Sequence, residues 1–340
     1  MKVALMKDAG HVKLEDRALR PIEAAEILLR IDACGICGSD RTTAIDGRAD
    51  YLPFGHEIAG TILEAGGAAE WLNPGQPVVL DSSTACGHCA MCKDARQEEC
   101  LSLESFFHRP YLGFGEQMIS PAISAVPYDR ISAEQACLAE PLGVALDMAA
   151  LAEIHVGSHV VVSGLGTIGL MALRLAKLAG AERIYAVGTS RGSRKAEVAL
   201  SFGADEFIAV DKTPLDNYPF AQPPDRFLVC SPPRSIPAMF KAAAKAAIIS
   251  FVGIRYGEGA NITFDLNEFH FKKLQLRASY AAPAMRTPEA VRLLSGGGVD
   301  GGALVTHVFE LGDIAEAVRV AVDDPDAIKV VVVNKNGSKS

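Results

Sequence analysis

Thirty residues, HVVVSGLGTIGLMALRLAKLAGAERIYAVG from His159 to Gly188, constrain this chain more than any other stretch. They read as an apolar strand, a glycine-rich turn, an amphipathic helix and a second apolar strand. That is a βαβ unit, because two parallel strands need a crossover long enough to carry a helix. Further segments follow at the same spacing: DEFIAV, DRFLVCS, a helical stretch from Ile236 to Ala246, AAIISFVGI and LQLRASY. Their apolar runs are continuous, as in a parallel sheet covered on both faces. Residues 151–284 are therefore expected to form a doubly wound α/β domain.

The turn carries Gly164, Gly166 and Gly169 in G-x-G-x-x-G spacing, with Thr167 and Ile168 inside it. Between a strand and a helix this spacing has a mechanism. The glycines allow a tight turn and let the backbone approach a pyrophosphate, which sits on the positive helix N-terminus. A dinucleotide is the expected cofactor. For NAD, the second strand would end in an acidic residue that bonds the adenosine ribose. Here it ends in Gly188, followed by Thr189, Ser190, Arg191, Ser193, Arg194 and Lys195. Hydroxyls and cations suit a 2′-phosphate, so NADP is expected over NAD. The plainer reading is that these arginines decorate the first turns of a solvated helix.

With 340 residues, the chain exceeds the roughly 250 to 300 that one core usually holds, so two domains are expected. Residues 1 to 130 look β-rich: VALMK, AEILLRI, GTILEAG and PVVL read as strands between Pro/Gly turns. Ser132 and Gln135 fit a capping box opening a helix, which Pro141 is expected to interrupt straight after Glu140. The tail from TPEAVRLLS to IKVVVVN is too short for a domain and is expected to complete the first one. The net charge of -8, with no basic run, argues against a nucleic-acid or anionic-membrane footprint. MKVALMKDAG meets Asp8 before any long apolar region, so no signal peptide is expected, and no apolar run has the length of a membrane span. Closely spaced cysteines among a total of eight suit metal binding in the cytoplasm.

Cys86, Cys89, Cys92 and Cys100 stand as C-x2-C-x2-C-x7-C. Four thiolates so close together can close a tetrahedral shell around Zn²⁺ with no open position, the mark of a structural site. An iron–sulfur cluster is the alternative, but the spacing differs from ferredoxin runs and no proline trails it. His88 is a spare ligand beside a better one. A second set lies in CGICGSDRTTAIDGRADYLPFGHEIAG, where Cys37, His56 and Glu57 offer a thiolate, an imidazole and a carboxylate. A catalytic zinc keeps three protein ligands and one open position. Glu140, placed just before the nucleotide-binding region, could supply a further carboxylate. Each residue taken alone also fits an ordinary core or surface role.

Jointly, CGICGSD, GHE, the four-cysteine lobe, AEPL and GLGTIG resemble the zinc-dependent medium-chain dehydrogenases over essentially the whole chain. The resemblance is specifically to the polyol branch, similar to sorbitol and threonine dehydrogenases. It implies a GroES-like catalytic domain from residues 1–150 plus 285–340, a Rossmann NAD(P)-binding domain over 151–284, and a homodimer or homotetramer. It also implies that Cys37, His56 and a carboxylate of Glu57 or Glu140 hold the catalytic zinc. Glu140, where simpler alcohol dehydrogenases have cysteine, points to polyol-like enzymes.

The implied reaction moves a hydride between a secondary alcohol of a polyol, sugar, cyclitol or aminocyclitol and NADP, through a zinc-bound alkoxide. Ser39 would take the hydroxyl proton, and Glu57 would support the metal's chemistry. From Ser39 the proton would pass on through Thr42, the cofactor ribose or water, Thr42 standing where relatives often carry a histidine in the relay. The polar stretch with Phe106, His108 and Arg109, together with Arg41, is expected to shape the substrate cleft. The alternatives are an NAD-dependent simple secondary-alcohol or threonine-type dehydrogenase, and a non-catalytic nucleotide-binding sensor.

Overall fold

The computed structural model describes residues 1–105 and 113–334. Phe106, His108 and Arg109 lie outside the described residues. The chain divides into two compact units, Met1–Gly143 with Ala281–Ser340, and Val144–Tyr280.

The first unit opens with an antiparallel hairpin, β1 (Lys2–Asp8) and β2 (His11–Asp16). Next come β3 (Glu26–Gly35), α1 (Gly38–Asp46), β4 (Leu52–Pro53), β5 (Glu57–Ala65) and β6 (Pro77–Leu80). The short strands β7 (Ser83–Thr84) and β8 (Glu104–Ser105) flank the cysteine lobe, which holds α2 (Ala90–Lys93). β9 (Gln117–Pro121) and β10 (Ala125–Pro127) follow. Alternate residues of β3 and β5 turn inward, so Ile27, Leu29, Ile31, Ile58 and Ile62 meet Leu80, Phe114 and Met118 in one fully buried core. Each such side chain contributes about 1.5 to 3 kcal/mol.

α3 (Ala133–Ala136) is capped by Ser132, whose hydroxyl accepts from the Gln135 N–H. α4 (Ala139–Ala152) then begins before Pro141 and runs through it. The expected break after Glu140 is therefore a helix start. Proline is tolerated in a first turn because its missing N–H has no intrahelical partner there. The helical stretch Ala133–Ala152 is long and apolar enough to cross a membrane by composition alone, which the linear apolar runs did not suggest. Most of it is buried inside the fold.

The second unit contains β11 (His159–Ser163), α5 (Thr167–Leu178), β12 (Arg183–Gly188), α6 (Ser193–Ser201), β13 (Glu206–Ala209) and β14 (Arg226–Val229). It is completed by α7 (Ile236–Ala242), β15 (Ile248–Phe251), α8 (Leu266–Phe271) and β16 (Gln275–Ala278). All six strands are parallel in the order β13-β12-β11-β14-β15-β16. This is the doubly wound Rossmann order, whose ligand crevice lies at the carboxyl ends of the strands.

The chain then returns to the first unit through α9 (Thr287–Ser295), α10 (Gly301–Leu304), β17 (Val305–Glu310), α11 (Ile314–Asp323) and β18 (Lys329–Val333). β18 pairs antiparallel with β3 and parallel with β17, giving the order β10-β6-β5-β3-β18-β17, with β9 also on β3. α1, β2 and β17 are elements that the residue pattern did not reveal.

Candidate functional site

Cys37 caps the N-terminus of α1, and the Asp40 carboxylate accepts its backbone N–H at 3.0 Å. His56 and Glu57 enter β5 after Gly55, whose φ of +88° and lack of Cβ suit the turn: a Cβ there would lie 2.5 Å from the Phe114 ring. The Cys37 Sγ, a His56 ring nitrogen and a Glu57 carboxylate oxygen lie within 4.8 Å of one another. Glu140 is outside that mutual set. It accepts the Ser82 hydroxyl at 2.9 Å, and burial raises its carboxyl above the ordinary range, an effect partly opposed by the charge of His56.

Behind the set stands a residue the sequence reading missed. Lys329, first in the buried run of β18, donates to Glu57 Oε2 at 2.5 Å and to the Ile36 carbonyl at 3.1 Å. Gly35 makes room for this pair, since a Cβ there would sit 2.1 Å from Glu57 Oε2. The only signal was a lone lysine opening a valine strand. Burial pushes Lys329 toward neutrality, but the charges of Glu57 and Cys37 outweigh it and leave its pKa raised. Burial likewise opposes the charged form of His56, yet Cys37 together with Glu140 and Asp40 holds the imidazole well above its usual value. Several groups able to carry negative charge thus converge where a cation would be stabilised. Glu57 Oε1, buried with no hydrogen-bond partner among the described residues, adds an unsatisfied acceptor. Thiolate, imidazole and carboxylate form a donor set that fits Zn²⁺.

The four cysteines also converge. Cys86 and Cys100 Sγ are 3.6 Å apart, Cys89 and Cys100 3.9 Å, and Cys86 and Cys92 4.0 Å. Sulfurs about 2.3 Å from a tetrahedral zinc would be about 3.8 Å apart. Backbone N–H groups already point at these sulfurs, from Cys86 to Cys100 and from Cys89 to Cys86. His88 turns to the Cys86 carbonyl instead. The thiols do not titrate alike: the N–H of Cys92 and then that of Leu101 lower Cys89 to about 6, whereas burial pushes Cys92 up to about 12. A bound cation would let all four give up their protons together.

The proposed relay residues fare differently. Ser39 is exposed at the start of α1. Thr42 gives its hydroxyl proton to the Gly38 carbonyl at 3.1 Å, a back-bond within its own helix that removes this proton from a relay beginning at Ser39. Arg41, expected to face substrate, is instead half-buried and donates to the Val322 carbonyl of α11.

A buried polar run, Asp81 to Thr84, leads into the cysteine lobe. Thr287 donates its hydroxyl to Asp81, tying the returning segment to the end of β6. Burial raises Asp81 to about 7, opposed by this bond and aided by the Glu140 charge. An unfolded aspartate titrates near 4. Between pH 4 and 7 the folded chain therefore keeps a proton that the unfolded chain loses, so stability falls as pH rises through that window and levels off above it. Asp81→Asn should remove this slope, on the order of 4 kcal/mol in total. Urea midpoints of parent and variant would be compared from pH 4 to 8; parallel curves would refute the assignment.

In the second unit, Gly164 has a φ of +92° and its Cβ would meet the Ser231 nitrogen at 2.7 Å. A Cβ on Gly169 would lie 1.9 Å from the Gly164 carbonyl oxygen, so this glycine packs the helix onto the turn. Gly166, the N-cap of α5, faces open space. That combination is a cradle an anionic pyrophosphate can enter. Thr167 and Ile168 form the first turn of α5. Gly188 ends β12, and Thr189, Ser190, Arg191 and Arg194 are exposed beyond it.

Comparison with known proteins agrees with this geometry. The alcohol dehydrogenase GroES-like domain family matches residues 23–130, and the zinc-binding dehydrogenase family matches 167–296. Sorbitol dehydrogenase of Bacillus subtilis (strain 168) is 32% identical over 219 residues, covering 62% of this chain and 61% of that protein. L-idonate 5-dehydrogenase (NAD(P)(+)) of Escherichia coli (strain K12) is 27% identical over 320 residues, 90% of this chain and 91% of that one. The alcohol dehydrogenase rspB of Escherichia coli CFT073, crystallised with NADH, superposes with a TM-score of 0.87 at 25% identity, covering 98% and 99% of the two chains. A GroES-like unit and a Rossmann unit in one chain, with two convergent ligand sets, define a zinc-binding dehydrogenase. The chain belongs to the zinc-dependent medium-chain alcohol and polyol dehydrogenase family.

Proposed function

We propose that this enzyme oxidises a secondary alcohol of a polyhydroxylated substrate, or reduces the matching ketone, with NADP preferred over NAD. The observation that carries the reading is the convergence of Cys37, His56 and Glu57 within 4.8 Å over the buried Lys329. Sorbitol and L-idonate dehydrogenases among the relatives support the substrate class. Cys37, His56 and Glu57 or Glu140 would hold the catalytic zinc, and the four-cysteine lobe a structural one.

Zinc supplies a Lewis acid that makes a substrate hydroxyl more acidic, and the nicotinamide supplies the hydride acceptor. The protein's own groups do the rest. Glu57 and Lys329 hold the site's charge in place, and Ser82 orients Glu140. Ser39, exposed two residues from Cys37, takes the substrate proton and passes it to solvent. The Gly164–Gly169 turn seats the pyrophosphate.

The absence of a carboxylate at Gly188 and the exposed Arg191 and Arg194 support NADP. Steady-state kinetics on a panel of polyols and cyclitols with each cofactor should give a higher kcat/KM with NADP, and Gly188→Asp should reverse the order. Parent enzyme that strongly prefers NAD would sink the cofactor reading. A panel on which simple alkyl alcohols outperform every polyol would sink the substrate reading.

The enzyme is further proposed to be a cytoplasmic homodimer or homotetramer. None of its eight cysteines is disulfide-bonded, which suits a reducing compartment. Edge strand β16 and exposed Ile254, Tyr256, Phe271 and Tyr280 support self-association. Light scattering should return a multiple of 36.0 kDa; a monomer mass at micromolar concentration would count against it.

A further inference from the structure

No acidic residue ends β12, yet a carboxylate reaches the same loop from the neighbouring strand. β13 pairs with β12 so that Ala209 lies opposite Gly188, and the Val210 N–H donates to the Gly188 carbonyl at 2.9 Å. One residue further on, Asp211 accepts the backbone N–H of Ser190 at 2.8 Å on one oxygen and the Ser190 hydroxyl at 2.5 Å on the other. Ser190 lies two residues past Gly188, where a dinucleotide fold meets the adenosine ribose.

Two consequences follow from this bidentate contact. The N–H and O–H of Ser190 are among the donors that a 2′-phosphate would use in this loop, and both are already given to a carboxylate. An incoming phosphate, carrying more than one negative charge, would also meet the Asp211 charge itself. A ribose with a free 2′-hydroxyl meets neither penalty, since it brings no charge and can donate to a carboxylate. Arg191 on the same loop and Arg194 in the first turn of α6, both exposed, pull the other way.

We infer that Asp211 is a specificity-determining residue that holds Ser190 and restrains the enzyme's affinity for the 2′-phosphorylated cofactor. The inference rests on the proposed placement of the adenosine ribose at the end of β12, and it deepens the cofactor reading by naming the residue that opposes the arginines. On this view cofactor choice is a balance between Arg191 on the loop and Arg194 at the start of α6, on one side, and one carboxylate just past the adjacent strand on the other.

The test is calorimetric titration of the zinc-loaded, full-length enzyme and of Asp211→Asn with NADP⁺ and with NAD⁺ separately, at 20 mM and 300 mM salt. Asp211→Asn should tighten NADP⁺ about tenfold at low salt, with NAD⁺ changing less than about threefold. The gain should shrink at high salt, because the charges concerned are exposed. Asp211→Ser serves as a second variant, shorter and uncharged, and should shift the ratio in the same direction. An unchanged ratio, an equal loss for both cofactors or a shift toward NAD⁺ would overturn the inference, the equal loss marking a purely structural role for the Ser190 contact. Parent enzyme that prefers NAD⁺ would defeat the NADP reading alone. The role of Asp211 would still stand if the variants moved the ratio toward NADP⁺.

Discussion

Cys37→Ser should lower kcat/KM by at least about 10³-fold while the protein stays folded and keeps about half of its zinc. A metal that polarises the reacting oxygen contributes several kcal/mol to the transition state, and each 1.36 kcal/mol is a factor of ten. Serine removes the soft thiolate from the Cys37, His56 and Glu57 set but leaves the four-cysteine lobe intact. It is also a good N-cap, so α1 should not unravel. Metal content by mass spectrometry, circular dichroism and steady-state rates on one sample check the three parts together. Loss of all zinc along with the fold would show that the two ligand sets are not independent, and retained activity would show that Cys37 is no ligand.

The second large effect is on stability. The Lys329 and Glu57 side chains are 2% and 1% exposed, so neither charge can be rescued by water when its partner is removed. Lys329→Met should cost about 3 to 5 kcal/mol, the usual penalty for stranding one member of a buried pair. The double variant Glu57→Gln with Lys329→Met should recover much of that loss, because no uncompensated charge is left. Urea unfolding of both, read by midpoint and slope, decides the matter. A single variant within about 1 kcal/mol of the parent would mean that the pair does not depend on burial as described.

How much of this was legible in the residue order depends on the distance over which each contact acts. Cys86, Cys89, Cys92 and Cys100 lie within one short lobe, and their spacing alone suggests a closed tetrahedral shell. Gly164, Gly166 and Gly169 are similar: the conformations they need are local, and the flanking apolar strands supply the context. Pro141 reads as a breaker from its neighbours alone, while in the first turn of α4 it breaks nothing. Position makes Thr42 a relay candidate, yet its hydroxyl proton goes to the carbonyl one turn back. Arg41 follows the GSD motif and so reads as a cleft residue, but its guanidinium donates to a carbonyl of α11, a contact 281 residues away in sequence.

The order of residues determined by itself the fold class, the glycine turn after β11, the cysteine lobe and the chemical types gathered at Cys37, His56 and Glu57. These follow from periodicity and from spacings of a few residues, which act before any long-range contact forms. Only the tertiary structure decided what stands against those groups. Lys329 lies beneath Glu57 because β18 inserts between β3 and β17, Thr287 reaches Asp81 because the chain returns to its first unit, and Asp211 meets Ser190 because β13 pairs with β12 in one particular register. A strand's register is set by which faces it buries across the whole sheet, so the partners it brings together cannot be read from the neighbours of either residue.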